Sequence, residues 1–222
     1  MKKIIVNVDD FGMSEVFNEV MLGLLEKDFI KSTSVLVLRG IEKQIAQIEK
    51  LKDLAEQKDI SIGLHFELDE KENDSEKATR KIERQNELFI KYFRFKPSHI
   101  DKHKNIYSNE EAQAMINFAI KNNIYIRDCF SGYIYKNRDK IKTSDRVVFL
   151  AEKSVNDMGE IILNMQDNEV MEIIAHPGKF DRNCQSSLNK DREKDYNKIL
   201  ELVHFLKENN IAIIGQKDVC RR

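Results

Sequence analysis

Short apolar runs alternate with segments of helical period along almost the whole chain, and that alternation limits the fold more than any other feature. Residues 3–8, Ser34–Leu38, Ile60–Phe66, Ser98–Asp101, Ile124–Arg127, Val170–Ala175 and Ile211–Ile214 read as strands. Helices are predicted from Ser14 as N-cap to about Lys27, over Ile41–Lys58, late in 69–94, from Ser108 to about Asn122, from Ser154 to Met165 and over Asp191–Asn209. Ser108-Asn109-Glu110-Glu111 has the form of a capping box, because Ser108 and Glu111 can each satisfy a free N–H at the helix start. The first strand is a continuous apolar run, as in a strand buried on both faces. Near-strict β/α alternation predicts an α/β fold with a parallel sheet or barrel. No Pro/Gly/Ser linker divides the 222 residues, so residues 1–222 are expected to form one domain. The charged start of 69–94 reads as a solvated loop, and no element is assigned to 130–150.

In a parallel α/β fold the carboxyl ends of the strands share one edge, where residues remote in sequence converge. Asp9-Asp10 follows the first apolar run, His65 the third and His176 the run Glu172–Ala175, while His99 and His103 lie in Pro97-Ser98-His99-Ile100-Asp101-Lys102-His103. Four of the five histidines therefore fall on that edge. His204 is inside the last helix and reads as packing or surface. Each feature alone has a plain structural reading, such as turn hydrogen bonding for the aspartates. Together, two imidazoles and a carboxylate suit a divalent ion that keeps water positions open. Such an ion polarises a carbonyl and acidifies bound water. Adjacent carboxylates on one turn are expected to point in different directions, one to metal and one to substrate. In an extended 98–101 segment His99 and Asp101 share a face, with His103 in the loop beyond, and Asp101 can support the metal shell. The chemistry expected is metal-assisted hydrolysis.

Other classes find little support. Lys+Arg 37 against Asp+Glu 38 leaves a net charge of -1 without single-sign blocks, so neither nucleic acid nor an anionic membrane is expected as a partner. The apolar run after Met1-Lys2-Lys3 is too short for a signal peptide and lacks a small-residue cleavage site, which makes the cytoplasm the expected location. Cys129, Cys184 and Cys220 are widely spaced, with no C-x-x-C pair, and read as reduced thiols rather than a disulfide framework or zinc site. Walker, G-x-G-x-x-G and G-x-S-x-G motifs are absent.

Val8-Asp9-Asp10-Phe11-Gly12-Met13-Ser14, Gly63-Leu64-His65-Phe66, the 97–103 run and Ile174-Ala175-His176-Pro177-Gly178 occur in that order, with Asp191-Arg192-Glu193 opening a late helix. This series, spanning residue 4 to about 215, resembles the YdjC-like family, which includes the chitooligosaccharide deacetylases. The resemblance implies an irregular or incomplete (β/α) barrel related in plan to the polysaccharide deacetylases. It implies removal of acetyl from an N-acetylated sugar or oligosaccharide with a divalent ion, magnesium first, although two imidazoles also suit zinc, manganese or cobalt. By motif position Asp10, His65 and His103 would hold the metal, Asp9 would be the base and His176 the acid. His99 and Asp101 would support the pocket. A small carbohydrate is the implied partner, and a homodimer the implied assembly. The family commonly reads His-x-Asp-x-His-x-His-x-His, whereas here Lys104-Asn105-Ile106-Tyr107 follows His103, placing a cation beside the site that would oppose the metal or contact an anionic substrate. The segment between His65 and Pro97 is short for the family, which leaves the natural sugar open. Two other readings stand beside the deacetylase. One is a metal-dependent phosphoesterase using Lys104, Arg127 and Arg138; the other is a catalytically silent carbohydrate-binding protein.

Overall fold

Alternate residues of the first strand face two different environments, and this organises the molecule. In the computed structural model, which describes residues 1–68, 70–104, 108–128 and 137–219, β1 spans Lys3–Phe11 and is buried from Ile4 onward. Successive strand residues point to opposite faces. Ile4, Val6 and Val8 join the large apolar core. Ile5 belongs instead to a small cluster with Tyr125, Val170 and Val219, and Asn7 and Asp9 follow it along the same face. That second face lines the interior of a ring.

The other strands are β2 (Ser32–Val35), β3 (Ser61–Phe66), β4 (His99–Lys102), β5 (Tyr125–Ile126), β6 (Arg146–Phe149), β7 (Val170–Ala175) and β8 (Ala212–Ile214). Their order is β5-β4-β3-β2-β1-β7-β6, with every pairing parallel. β8 pairs with Lys3–Ile5 and β2 with Asn7 onward, so β8 fills the gap beside the start of β1. An isolated parallel bridge joins Tyr125 of β5 to Lys142, four residues before β6, so among the described residues the two ends of the row approach without pairing strand to strand. This is the expected irregular, incomplete barrel.

Helices α1 (Glu15–Glu26), α2 (Ile45–Lys58), α3 (Ser75–Phe93), α4 (Asn109–Asn122), α5 (Val155–Leu163) and α6 (Arg192–Glu208) connect the strands. Ser14 caps α1, and Ser108 with Glu111 closes the expected capping box on α4. Among the described residues no helix is long and apolar enough to cross a membrane.

Four expectations need correction. The first strand runs on through Asp9 and Asp10 to Phe11 instead of ending at residue 8. β2 lies two to three residues earlier than expected because it faces the polar interior. Ser32 bonds Asn7 and Gln216, Thr33 Oγ1 donates to the Val8 carbonyl, and Ser34 Oγ donates to Asp101. Its apolar continuation, Leu36–Leu38, lies beyond the ladder. β6 falls inside the 130–150 stretch given no element; it is an end strand, partly exposed, with only a short apolar run to announce it. The predicted helix over 41–58 divides into a 3₁₀ turn at Ile41–Lys43 and α2.

Candidate active site

A local break in β1 creates the site. Val8 pairs with Thr33 and Phe11 with Val35, so β1 carries one more residue than β2 across this interval. Asp10 absorbs the extra residue with φ 74°, a left-handed conformation that Asp tolerates better than most residues but that still costs about 1 kcal/mol or more. In a regular strand Asp9 and Asp10 would point to opposite faces. With the bulge, Asp9 Oδ2 and Asp10 Oδ1 both approach His65 Nε2, at 3.9 and 3.4 Å. The two carboxylates converge, contrary to the expectation from sequence that they diverge.

Asp10 Oδ1, His65 Nε2 and His103 Nδ1 form a compact triangle. Its sides are 3.4 Å (Asp10 to His65), 3.0 Å (Asp10 to His103) and 3.3 Å (His65 to His103). Ligands about 2.0–2.1 Å from one ion lie roughly 3.0–3.4 Å apart in octahedral or tetrahedral geometry, so the triangle has the edge lengths of a shared coordination sphere. Asp10 Oδ1 is buried and accepts no hydrogen bond from the described residues, as fits an atom whose partner is a cation. Burial opposes charge on Asp10, yet contact with the His103 and His65 imidazoles holds its carboxyl well below the usual range.

His65 is oriented from behind. Its Nδ1 lies 2.6 Å from Asp101 Oδ1, which fixes a proton on Nδ1 and turns Nε2 toward the triangle, as outer carboxylates do for metal-binding imidazoles. Burial lowers the basicity of His65, but the Asp101 and Asp9 charges outweigh it and raise its pKa to about 10. A cation at Nε2 must therefore displace a proton. Asp101 lies well below its ordinary range; burial opposes this, and Arg127 and His65 overcome it.

Arg127, which follows β5 at the same edge, ties three carboxylates together. Its Nη1 and Nη2 donate to Asp9 Oδ2 and Oδ1 at 2.7 Å each, Nη2 also lies 2.7 Å from Asp101 Oδ2, and Nε donates to Glu172 Oε1 at 2.9 Å. Such a planar fork fixes the plane of the Asp9 carboxylate. Asn7 Nδ2 adds a bond to Asp9 Oδ1 at 2.7 Å. Glu172, whose pKa burial raises, also accepts from Tyr125 Oη at 2.6 Å. On the far side Arg192 Nη2 donates to Asp10 Oδ2 at 2.6 Å. Asp9, Asp10, Asp101 and Glu172 thus face two guanidiniums and the His65 imidazole, so most of the acid is paired within the chain.

His176 lies at the end of β7, with its backbone N–H donating to Asp195 Oδ2 at 2.8 Å. Its Nε2 is 3.9 Å from Asp9 Oδ2, too far for a direct hydrogen bond and near enough to share one small group. His176, Asp9, Asp10, His65, His103 and Lys104 line a cleft of about 1020 Å³, at the upper end for small-molecule sites. Its outer wall is formed by residues 183–188, with Phe149 and Glu152.

The remaining sequence candidates separate. His99 is fully buried and does not line the cleft. Its Nε2 is 3.1 Å from Ser34 Oγ and its Nδ1 2.9 Å from Ser98 Oγ, and burial lowers its pKa to about 4. It supports Asp101 through Ser34 and cannot reach substrate. Arg127 and Arg138, read as phosphate contacts, are both paired with carboxylates, Arg138 to Asp145 at 2.5 Å. His204 is exposed beside Glu208. Cys184 is a free thiol on the cleft wall; Cys129, Cys220 and residues 105–107 lie outside the described residues. The sequence offered Arg192 only as part of the family-like run Asp191-Arg192-Glu193, with no role, and gave Glu172 and Asn7 no place in the site. Glu172 had a signal, since a carboxylate inside an apolar strand must be paired.

A curated carbohydrate deacetylase of Clostridium beijerinckii (strain ATCC 51743 / NCIMB 8052) is 22% identical to this chain over 253 residues, covering 98% of this chain and 100% of that protein. The crystal structure of a "putative cellobiose-phosphate cleavage protein" from Enterococcus faecalis V583 superposes with TM-score 0.81 at 18% identity, covering 97% of this chain and 98% of that one. The Bc1960 peptidoglycan N-acetylglucosamine deacetylase has the same barrel, with TM-score 0.62 at 14% identity over 99% of this chain and 90% of its own. The YdjC-like protein model matches residues 3–81 and 70–208, and with that coverage, laid over the bulged Asp pair and the three histidines of the cleft, this chain belongs to the YdjC-like family.

Proposed function

We propose that this protein is a metal-dependent hydrolase that removes acetyl from an N-acetylated sugar or oligosaccharide. The observation that carries the proposal is the triangle of Asp10 Oδ1, His65 Nε2 and His103 Nδ1, with sides of 3.0–3.4 Å and Asp9 and His176 beside it. These three residues would hold the cation. Magnesium is what the family suggests, and two imidazoles also suit zinc, manganese or cobalt. When bound, the cation supplies Lewis acidity that polarises the amide carbonyl and acidifies a water.

The chain's own residues do the rest. Asp9 Oδ2 is the proton acceptor for the attacking water; it accepts one hydrogen bond from Arg127 Nη1, while Oδ1 accepts two, from Arg127 Nη2 and Asn7 Nδ2, so the carboxylate is held in one plane. His176 Nε2, on the other side of the shared gap, delivers a proton to the leaving amine. As the acetyl C–N bond breaks, the water oxygen stays with acetate and the amine takes the His176 proton. The proton on Asp9 then returns to His176 through solvent, which restores both groups, and the released acetic acid gives up its own proton to solvent. The named activity of the Clostridium beijerinckii relative supports an amide of a sugar as the substrate. The pairing of Arg127 and Arg138 with carboxylates leaves the phosphoesterase reading with only Lys104 of its three proposed cations.

Purified protein supplied with each divalent ion should release acetate from N-acetylglucosamine oligomers and no phosphate from sugar phosphates. Asp9→Asn should bind the cation with wild-type affinity and lose turnover by about 10²–10⁴-fold, the range for a lost general base. Full activity in that variant would remove Asp9 from the mechanism. Sugar binding without turnover at every metal tested would leave a silent carbohydrate-binding protein.

A further inference from the structure

We infer that Arg192 is a positioning residue that holds Asp10 to a single cation-facing oxygen, an inference that rests on Asp10 being a cation ligand as proposed above. Arg192 opens α6 and is 1% exposed, the bulkiest of the fully buried side chains. Its Nη2 donates to Asp10 Oδ2 at 2.6 Å, while Oδ1 keeps the contacts with His65 and His103. One carboxylate oxygen is engaged by protein and the other remains for a cation.

The surroundings fix this guanidinium. It lies over the Phe17 ring at 4.0 Å from the centroid, with Met13 Sδ at 3.5 Å and Ser186 Oγ at 3.4 Å. The glycine of His176-Pro177-Gly178 makes room for it. A Cβ on Gly178 would stand 2.9 Å from Arg192 Cδ and 2.9 Å from Phe17 Cδ1, and the Gly178 N–H donates to the Arg192 carbonyl at 3.3 Å. The loop that carries His176 is therefore packed on the residue that holds Asp10.

Stability alone does not account for Arg192. Its Nε and Nη1 are buried without hydrogen-bond partners among the described residues, and unanswered donors on a buried cation are costly. The charge-assisted bond to Asp10 is the one strong contact that offsets this cost. Without it, Asp10, already held at φ 74°, would be free to rotate both oxygens toward the cation or away from it. Charge and positioning predict opposite effects. A neighbouring cation should weaken metal binding by repulsion, whereas a fixed Oδ1 should strengthen it.

The test is calorimetric titration of metal-stripped protein with manganese chloride, read as Kd. Asp10→Asn should abolish binding. Arg192→Met should raise Kd about 10–100-fold, the effect expected from losing a partner of a metal ligand, although the site becomes more negative. Arg192→Lys, which keeps the charge but not the flat stacked fork, should recover only part of the loss. Should Arg192→Met fail to fold, Gly178→Ala displaces the same side chain with one methyl and should weaken binding in the same direction. An unchanged or lower Kd in the folded Arg192→Met protein, or in Gly178→Ala if it does not fold, overturns the inference. If Asp10→Asn binds manganese as wild type does, Asp10 is not a ligand, and the reading beneath the inference fails instead.

Discussion

Two fully buried imidazoles on neighbouring strands are pushed in opposite directions, and the reason lies in how the groups around each one balance its burial. His65 meets Asp101, Asp9 and Asp10 and keeps a proton up to about pH 10, whereas His99 bonds two serine hydroxyls, reaches Asp101 only at 4.0 Å, and is held neutral by burial down to about pH 4. The unfolded chain protonates histidine near the ordinary value of about 6.5. Between that value and 4 the unfolded state takes up a proton that His99 in the folded state refuses, so the His99 contribution to stability is present above 6.5 and lost as pH falls toward 4. At about 1.4 kcal/mol per unit, the loss is of order 3 kcal/mol. For His65 the sign reverses: its contribution is complete below 6.5 and lost as pH rises through 10. Urea unfolding of metal-stripped protein should show stability falling from pH 6.5 to 4.5. His99→Gln should be less stable throughout but have a shallower slope over that interval. An unaltered slope would show that His99 is not the group responsible.

At the scale of elements, β3 and β4 are packed with no room between Gly63 and His99. A Cβ on Gly63 would stand 2.2–2.4 Å from three atoms of the His99 ring, so the glycine of Gly63-Leu64-His65-Phe66 is required by the neighbouring strand and not by a turn. Gly63→Ala should destabilise by about 1–3 kcal/mol, as overpacking does. The double variant Gly63→Ala/His99→Ala should recover part of that loss in a thermal melt, and equal or greater loss in the double variant would mean that the clash is relieved elsewhere. Such contacts explain what sequence could and could not reveal. β1 and β7 were legible because a strand covered on both faces is a continuous apolar run, and α4 was legible because its capping box is local. β2 was misplaced because Ser32 and Ser34 face a polar interior and Thr33 between them is polar too, so periodicity reads the segment as loop. The edge position of Asp9, Asp10, His65, His103 and His176 followed from β/α alternation. The bulge at Asp10 could not be foreseen, since a register shift depends on the partner strand. Arg127 was noticed only as a loose cation, because the three carboxylates it joins come from β1, β4 and β7.

For the whole molecule, the proposed cation would act as a tie across the barrel mouth. Its three ligands come from β1, from β3 and from the residue after β4, while β2, which lies between β1 and β3, offers none. The mouth gathers Asp9, Asp10 and Asp101 around the His65 imidazole and two guanidiniums, and on the far side β5 meets only Lys142, ahead of β6, through an isolated bridge among the described residues. A ligand that binds only the folded state stabilises it by about 2.7 kcal/mol at a hundredfold excess over Kd. For a chain of this size each kcal/mol moves the melting temperature by about 2–4 °C, so saturation should raise it by roughly 5–10 °C. Melts of the stripped protein with magnesium, manganese, zinc or cobalt should show that rise, and a chelator should reverse it. Because His65 must give up its proton to bind, the rise should grow with pH from 6.5 to 8.5. Asp10→Asn should abolish it for every ion. A shift that persisted in that variant would locate the cation away from Asp10 and dissolve the link drawn between the bulge in β1 and the chemistry of the cleft.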